Sequence, residues 1–322
     1  MSIRFKELST QLNLNVEHDN NEQLQALEHW CYEHISRDIR YFGNVAEKRQ
    51  SYLSLAKYYL DEFVGSIPKN SAETPKFDNL NVIQYAAYRG YDHYLNSLSL
   101  PKNKWDEATI AGMTPLHLAA LQGHVHTVQV LLAKGANPNK ENNNSQLPIH
   151  CALTVAIAHE SDLLKRKKDI FSLLKPYIQD ITHRDDSGNS ILHHTVINGF
   201  YELTKELLEE NPELAFCKNN YHRFPIHTAI LNQQTQIAQL LLAIKKVATL
   251  TDVEGRVALH YAACYGKPDM VQLCCDATPD INIRDSYGKT PLILAEEAKN
   301  TEGINILITN GADATLTDFG MD

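Results

Sequence analysis

Fifteen histidines and six cysteines give this chain its widest chemical repertoire, so they are weighed first. His29-x-Cys31-x-x-His34 has the residue types of a metal site. The surrounding periodicity is helical, however, and a helix sends positions 29 and 31 to different faces, where they cannot share one ion. Cys31 paired with a remote histidine would make a nucleophile, yet no second element supports that pairing. Cys274-Cys275 suggests redox or metal chemistry, but the chain has no CxxC pair to extend it. His159-Glu160 lacks the second histidine of a zinc-protease helix, and neither a phosphate-cradling glycine loop nor a G-x-S-x-G elbow occurs. The expectation is therefore no catalytic, cofactor-binding or metal-binding residues and no enzyme. The amino-terminal segment and any sequence beyond Asp322 stay open in that respect.

Five of the histidines share one position in a recurring phrase. The phrase is clearest as Thr114-Pro115-Leu116-His117-Leu118-Ala119-Ala120. It returns with first residues Asn81, Leu147, Ser190, Phe224, Val257 and Thr290, in steps of 33, 33, 43, 34, 33 and 33. A fixed period of this size signals stacked supersecondary units that bury a common core. Two residues before each phrase stands a turn residue: Asn79, Gly112, Ser145, Gly188, His222, Gly255 or Gly288. Three residues earlier several units carry Asn142, Asp185, Asn219, Asp252 or Asp285, types that close turns with their own side chains. A short helix with small alanines follows, then a second helix marked by pairs such as Leu131-Leu132, Leu207-Leu208 and Leu241-Leu242. In that register Cys274-Cys275 falls where other units carry Leu-Leu, so both read as small buried apolar groups.

The third unit is ten residues longer, with its excess near 155–166, as longer helices or as a protruding loop. Its basic run, Lys165-Arg166-Lys167-Lys168, reads as a solvated helix face. Residues 1–70 lack the phrase and show helical spacing instead (Leu24, Leu27, Trp30, Cys31, Ile35), which predicts a helical segment capping the open end of the array. Residues 76–322 form the repeat domain. The chain stops at Asp322 where a further hairpin would begin, either a short cap or, as the favoured reading, a fragment of something longer.

Period, turn glycine, Pro-x-His and Leu-Leu agree in register, and on them the chain resembles the ankyrin-repeat family over roughly residues 76 to 312. The resemblance implies an all-α solenoid of about seven repeats, each a β-hairpin finger and an antiparallel helix pair. It implies that the repeated histidine hydrogen-bonds backbone of the adjoining finger, and that His124 helps open a second helix. It implies binding of a partner protein through the concave face of finger tips and first helices. Taken in register, that face includes Tyr88 and Arg89 in the first unit. In the last three units it includes Tyr221, Arg223, Arg256, Tyr265, Tyr287 and Lys289. Tyrosine and arginine dominate interface energetics, so this ridge is the expected partner-binding surface, with an acidic or phosphorylated protein as partner. Asn139 and Asn282 stand where arrays of this family are hydroxylated; their other reading is stabilisation of the inter-repeat turn. The degenerate repeats and helical preface also resemble the secreted ankyrin effectors of intracellular bacteria, which would make the partner a host protein. The alternative is a targeting module of a larger enzyme whose catalytic part lies outside the repeats.

Composition sets the remaining limits. An apolar content of 43% is enough for a continuous core, which argues against disorder over most of the length. A net charge of −9 argues against a nucleic-acid partner, which favours a basic stripe. No 18-residue apolar run or signal-peptide core is present, so no membrane span is expected. Scattered cysteines predict reduced thiols and a cytosolic monomer. Delivery into a host cytoplasm without a classical signal peptide is compatible with the same observations.

Overall fold

In a computed structural model the chain is described over residues 80–154 and 161–316. The expected amino-terminal cap, His29, Cys31, His34 and the final residues 317–322 lie outside the described residues. Fourteen α-helices follow one another in seven pairs among the described residues. The inner helices are α1 (Val82–Arg89), α3 (Pro115–Gln122), α5 (Pro148–Leu153), α7 (Ile191–Ile197), α9 (Pro225–Leu231), α11 (Ala258–Tyr265) and α13 (Pro291–Glu297). The outer helices are α2 (Asp92–Ser97), α4 (Val125–Ala133), α6 (Ser161–Leu174), α8 (Tyr201–Glu210), α10 (Thr235–Leu242), α12 (Pro268–Ala277) and α14 (Thr301–Thr309).

The recurring phrase explains where each inner helix starts. Its first residue is the extended N-cap, and proline, where present, occupies the first helical turn, where its missing N–H costs nothing. Gly123 ends α3 in the left-handed region (φ 79°), which a side chain would resist. The helices are too short to be stable alone, so packing must hold them. One apolar position, occupied by Ile83, Leu116, Ile149, Leu192, Ile226, Leu259 and Leu292, is buried in every repeat. Three residues later comes Ala86, Ala119, Ala152, Thr195, Ala229, Ala262 or Ala295, each fully buried and small enough to let neighbouring inner helices approach closely. The result is one uninterrupted apolar strip.

The fingers are tighter than expected. Each finger among the described residues closes with paired backbone bonds, as in Asp185 N–H to Asn189 O (3.0 Å) and Gly188 N–H to Asp185 O (2.7 Å). Among the described residues only one isolated bridge, Arg184 with Ser190, has strand character. The third repeat carries part of its extra length in α6, which has 14 residues, and residues 155–160 lie outside the described set. There the expected solvated basic face needs correction. Lys165 is exposed, but Lys167 is buried (1% exposed). Its ammonium donates to the carbonyls of Leu121 (2.7 Å), Thr154 (2.6 Å) and Cys151 (3.4 Å), at the C-terminal ends of α3 and α5. Burial pushes its pKa down to about 8, while three carbonyls at negative helix ends favour the charged form. Lys167 thus pins the long helix to two inner helices.

Candidate protein-binding ridge

The repeated histidine belongs to the framework. His117 Nδ1 accepts from the Thr114 N–H (3.2 Å), and its Nε2 donates to the Gln146 carbonyl (2.9 Å) in the next finger. His193 and His260 donate likewise to Arg223 O (3.1 Å) and Lys289 O (3.2 Å). His150 and His227 keep the Nδ1 bond, accepting from the Leu147 N–H (3.1 Å) and the Phe224 N–H (3.1 Å), and depart from the pattern only at Nε2. His150 lies against His194 and His183, with ring centroids 5.2 and 5.7 Å away, and His227 lies 5.0 Å from Tyr261. Burial lowers the pKa to about 4 for His117, His193 and His227 and to about 3 for His150. The rings are therefore neutral and serve packing. His124, at the start of α4, reaches back to Tyr88 O (3.0 Å). Cys274 and Cys275 are buried, and burial pushes the Cys275 thiol up to about 11, so neither is a reactive thiolate.

Finger heads carry the polar order. The Asp252 Oδ1 accepts from the Glu254 and Arg256 N–H groups, both at 2.9 Å, and Asp185, Asn219 and Asp285 repeat that geometry. The second carboxylate oxygen is what varies in its partner. Asp185 Oδ2 meets His194 Nε2 (2.9 Å), Asp252 Oδ2 accepts from the Tyr261 hydroxyl (2.6 Å), and Asp285 Oδ2 accepts from Arg256 Nε (3.2 Å).

These loops and the end of α11 carry the residues of the expected ridge in the last three repeats. Tyr221, Tyr265 and Tyr287 are 63%, 57% and 59% exposed, and Val253 is 66% exposed. Arg223 lies over the rings of Tyr221 (5.3 Å) and Tyr261 (5.7 Å), and its Nε donates to the Tyr261 hydroxyl (3.1 Å). Tyr261 stands 6.4 Å from Tyr265, so Tyr221, Arg223, Tyr261 and Tyr265 form one continuous group. Arg256 is held by Asp285 and Glu254, and Lys289 by Glu297 (2.5 Å). Tyr88 and Arg89 lie half-buried at the end of α1, in the first repeat and apart from this group. Sequence reasoning missed Tyr261 and Asp252 as members of the ridge. The signal was present: Tyr261 occupies a phrase position that holds Leu118, Cys151 or Leu294 elsewhere. Asn139 bridges repeats through Tyr177 O (2.8 Å) and the Gln179 N–H (3.2 Å). Asn282 does so through Gly311 O (3.4 Å) and the Asp313 N–H (2.9 Å).

Comparison with known proteins agrees with this architecture. A family model described as ankyrin repeats (3 copies) matches residues 163–250 and 244–318, and the single ankyrin repeat matches 111–143. The chain belongs to the ankyrin-repeat family. It is 30% identical over 182 residues to ankyrin repeat protein FPV230 of fowlpox virus, covering 56% of this chain and 90% of that protein. It is 26% identical over 213 residues to the transient receptor potential cation channel subfamily A member 1 of Drosophila melanogaster. That match spans 64% of this chain but only 18% of the channel. The match to the Caenorhabditis elegans homologue of that channel spans 14% of its length. Among solved structures, the human ASB11 ankyrin repeat domain aligns with a TM-score of 0.57 at 20% identity, covering 72% of this chain and 98% of that domain. The ankyrin repeat domain of Bcl-3 aligns with a TM-score of 0.57 at 22% identity, covering 74% of this chain and all of that domain. These likenesses support the fold. No helix among the described residues is long and apolar enough to cross a membrane.

Proposed function

We propose that this chain is a non-enzymatic interaction scaffold whose concave face binds a partner protein through the ridge of its last three repeats. The carrying observation is the exposure of Tyr221 and Tyr287, on fingers whose backbones are tied down by their own side chains, and of Tyr265 at the end of α11. Large aromatic rings on a rigid support lose little entropy when they engage a partner. Affinity enrichment from cell extract tests the reading. The triple variant Tyr221→Ala, Tyr265→Ala, Tyr287→Ala is expected to lose the proteins that the wild type retains, while Tyr177→Ala, on an exposed site away from the ridge (52% exposed), keeps them. Equal recovery by both variants would overturn the proposal.

The narrower readings have unequal support. An acidic or phosphorylated partner would have to displace Glu254, Asp285 and Glu297 before meeting Arg256 or Lys289. A secreted effector acting on a host protein rests on the style of the repeats alone; the relatives named above are animal and viral. A targeting module of a larger protein is the alternative, consistent with the small share of the channels that the matches span. Asn139 and Asn282 stand as proposed hydroxylation sites, tested by intact mass after treatment with an asparaginyl hydroxylase. No added oxygen dismisses them.

A further inference from the structure

Arg223 differs from the other ridge cations in how its charge is met. Arg256 and Lys289 have carboxylate partners. Elsewhere Lys175 pairs with Glu206 and Glu210, Arg166 with Asp162, and Lys167 is surrounded by carbonyls. The Arg223 guanidinium has no ion pair among the described residues. It touches two tyrosine rings and one phenol oxygen, and only Nε is engaged. The nearby Asp252 does not neutralise its fork. One Asp252 oxygen takes the Glu254 and Arg256 N–H groups, and the other takes the Tyr261 hydroxyl, which stands between the carboxylate and Arg223. Both terminal nitrogens of Arg223, with four N–H donors, make no hydrogen bond among the described residues.

The side chain is also held in place. Stacking over Tyr221 and Tyr261 contributes about 0.5–1 kcal/mol at a partly exposed site and fixes the plane of the fork. Tyr261 is itself fixed by its 2.6 Å bond to Asp252. A planar, oriented, half-buried guanidinium with a free edge suits a carboxylate, which can accept two parallel N–H bonds. The flanking exposed rings of Tyr221 and Tyr265 suit apolar side chains next to it.

We infer that Arg223 is an anion subsite within the ridge, recognising an aspartate or glutamate side chain flanked by apolar residues in the bound segment of a partner protein. This rests on the ridge being the binding surface and names the chemistry of its occupant. Arg256 and Lys289 act as internal struts that hold the finger loops.

The test uses a phage-displayed random peptide library panned against the whole chain. Wild type selects peptides with one fixed acidic position beside apolar residues, and a synthetic selected peptide binds Arg223→Gln about tenfold more weakly. Changing its acidic residue to the amide weakens wild-type binding as much and leaves the variant unaffected. Selected peptides with no fixed acidic position, or an acidic preference that survives in Arg223→Gln, would overturn the inference. So would at least tenfold tighter binding of a phosphoserine version, which would assign the subsite to phosphate instead. Peptides that bind equally well to the triple tyrosine variant would show that the ridge itself is not the surface. Peptides that need the tyrosines but carry no acid sink only the role of Arg223.

Discussion

Acid should unfold this array before its carboxylates titrate, because four buried imidazoles must gain protons to do so. His117, His193 and His227 are lowered to about 4 and His150 to about 3, from an ordinary 6.5, and all four are fully buried. Between those values the unfolded chain binds protons that the native chain refuses. Stability is therefore complete above pH 6.5 and falls as pH drops through the window from 6.5 to about 4. At about pH 5 each group costs about 2 kcal/mol relative to neutrality, or about 8 kcal/mol for the four. A natural domain has only about 5–15 kcal/mol in total. Urea titrations followed by far-UV circular dichroism at about pH 7.5 and about pH 5 should show the midpoint collapse, with a proton uptake on unfolding of about four. Repeat arrays can unfold in parts, so the midpoint rather than an extrapolated free energy is the measure. An unchanged midpoint, or histidine ring protons titrating in the native state above about pH 6, would refute the assignment of these rings as neutral framework groups.

Four further substitutions bear on particular links. Lys167→Met should destabilise by about 3 kcal/mol in urea titrations, because three carbonyls lose their donor in a buried place; a change below about 0.5 kcal/mol would mean that water replaces the ammonium freely. Gly188 holds φ 76°, and a Cβ there would stand 2.6 Å from the Asn220 nitrogen, so Gly188→Ala should lower stability by about 2 kcal/mol. His222 occupies the same turn position at φ 54°, so His222→Gly should instead raise stability by about 0.5–1 kcal/mol, and a loss would refute the strain argument. Asp285→Asn keeps the oxygen that caps its finger but sets an N–H₂ against Arg256 Nε, so a loss of about 2 kcal/mol is expected, relieved in the double variant with Arg256→Gln.

Much of this was legible because each repeat states the same local rule. Thr114 with Pro115, or Ser190 with Gly188, marks a finger and a helix start wherever it occurs, and seven restatements fix the period. The Leu-Leu register likewise identified Cys274 and Cys275 as packing groups, and both are buried. Lys167 was not legible, since a run of four basic residues looks the same whether or not one of them turns inward to find carbonyls on two other helices. Arg256 and Lys289 look like free cations for the same reason. Asp285 lies one repeat beyond Arg256, so that pairing depends on the rise of the stack, while Glu254 and Glu297 are near in sequence to Arg256 and Lys289 but reach them only through the fold of the finger and its inner helix. Tyr261 was hidden by sitting inside the framework phrase, where the repeat pattern draws attention away from the odd residue.

The finger heads connect framework and ridge through one chemical choice, aspartate or asparagine. In five of the heads among the described residues (Asn142, Asp185, Asn219, Asp252 and Asp285) one oxygen closes the head's own loop, which leaves the second side-chain atom as the variable, while Thr109 closes its loop through a hydroxyl. Where a donor stands opposite (His194, Tyr261 or Arg256), the head is Asp185, Asp252 or Asp285. Where an acceptor stands opposite, the head is an amide. Asn219 Nδ2 donates to Asn189 Oδ1 (3.0 Å), and Asn142 Nδ2 to Gln146 Oε1 (3.2 Å). Asp252 and Asp285 are buried, at 9% and 5% exposed, and an unmatched atom there would cost about 1–3 kcal/mol. The aspartates therefore appear where a neighbouring repeat or the head's own inner helix brings a polar donor, and that donor is what orders the surface above it. Asp252 fixes Tyr261, Tyr261 receives Arg223, and Arg223 lies against Tyr221. A buried carboxylate two contacts below the surface thus determines which way the exposed fork can point, so the ridge owes its geometry to the framework beneath it.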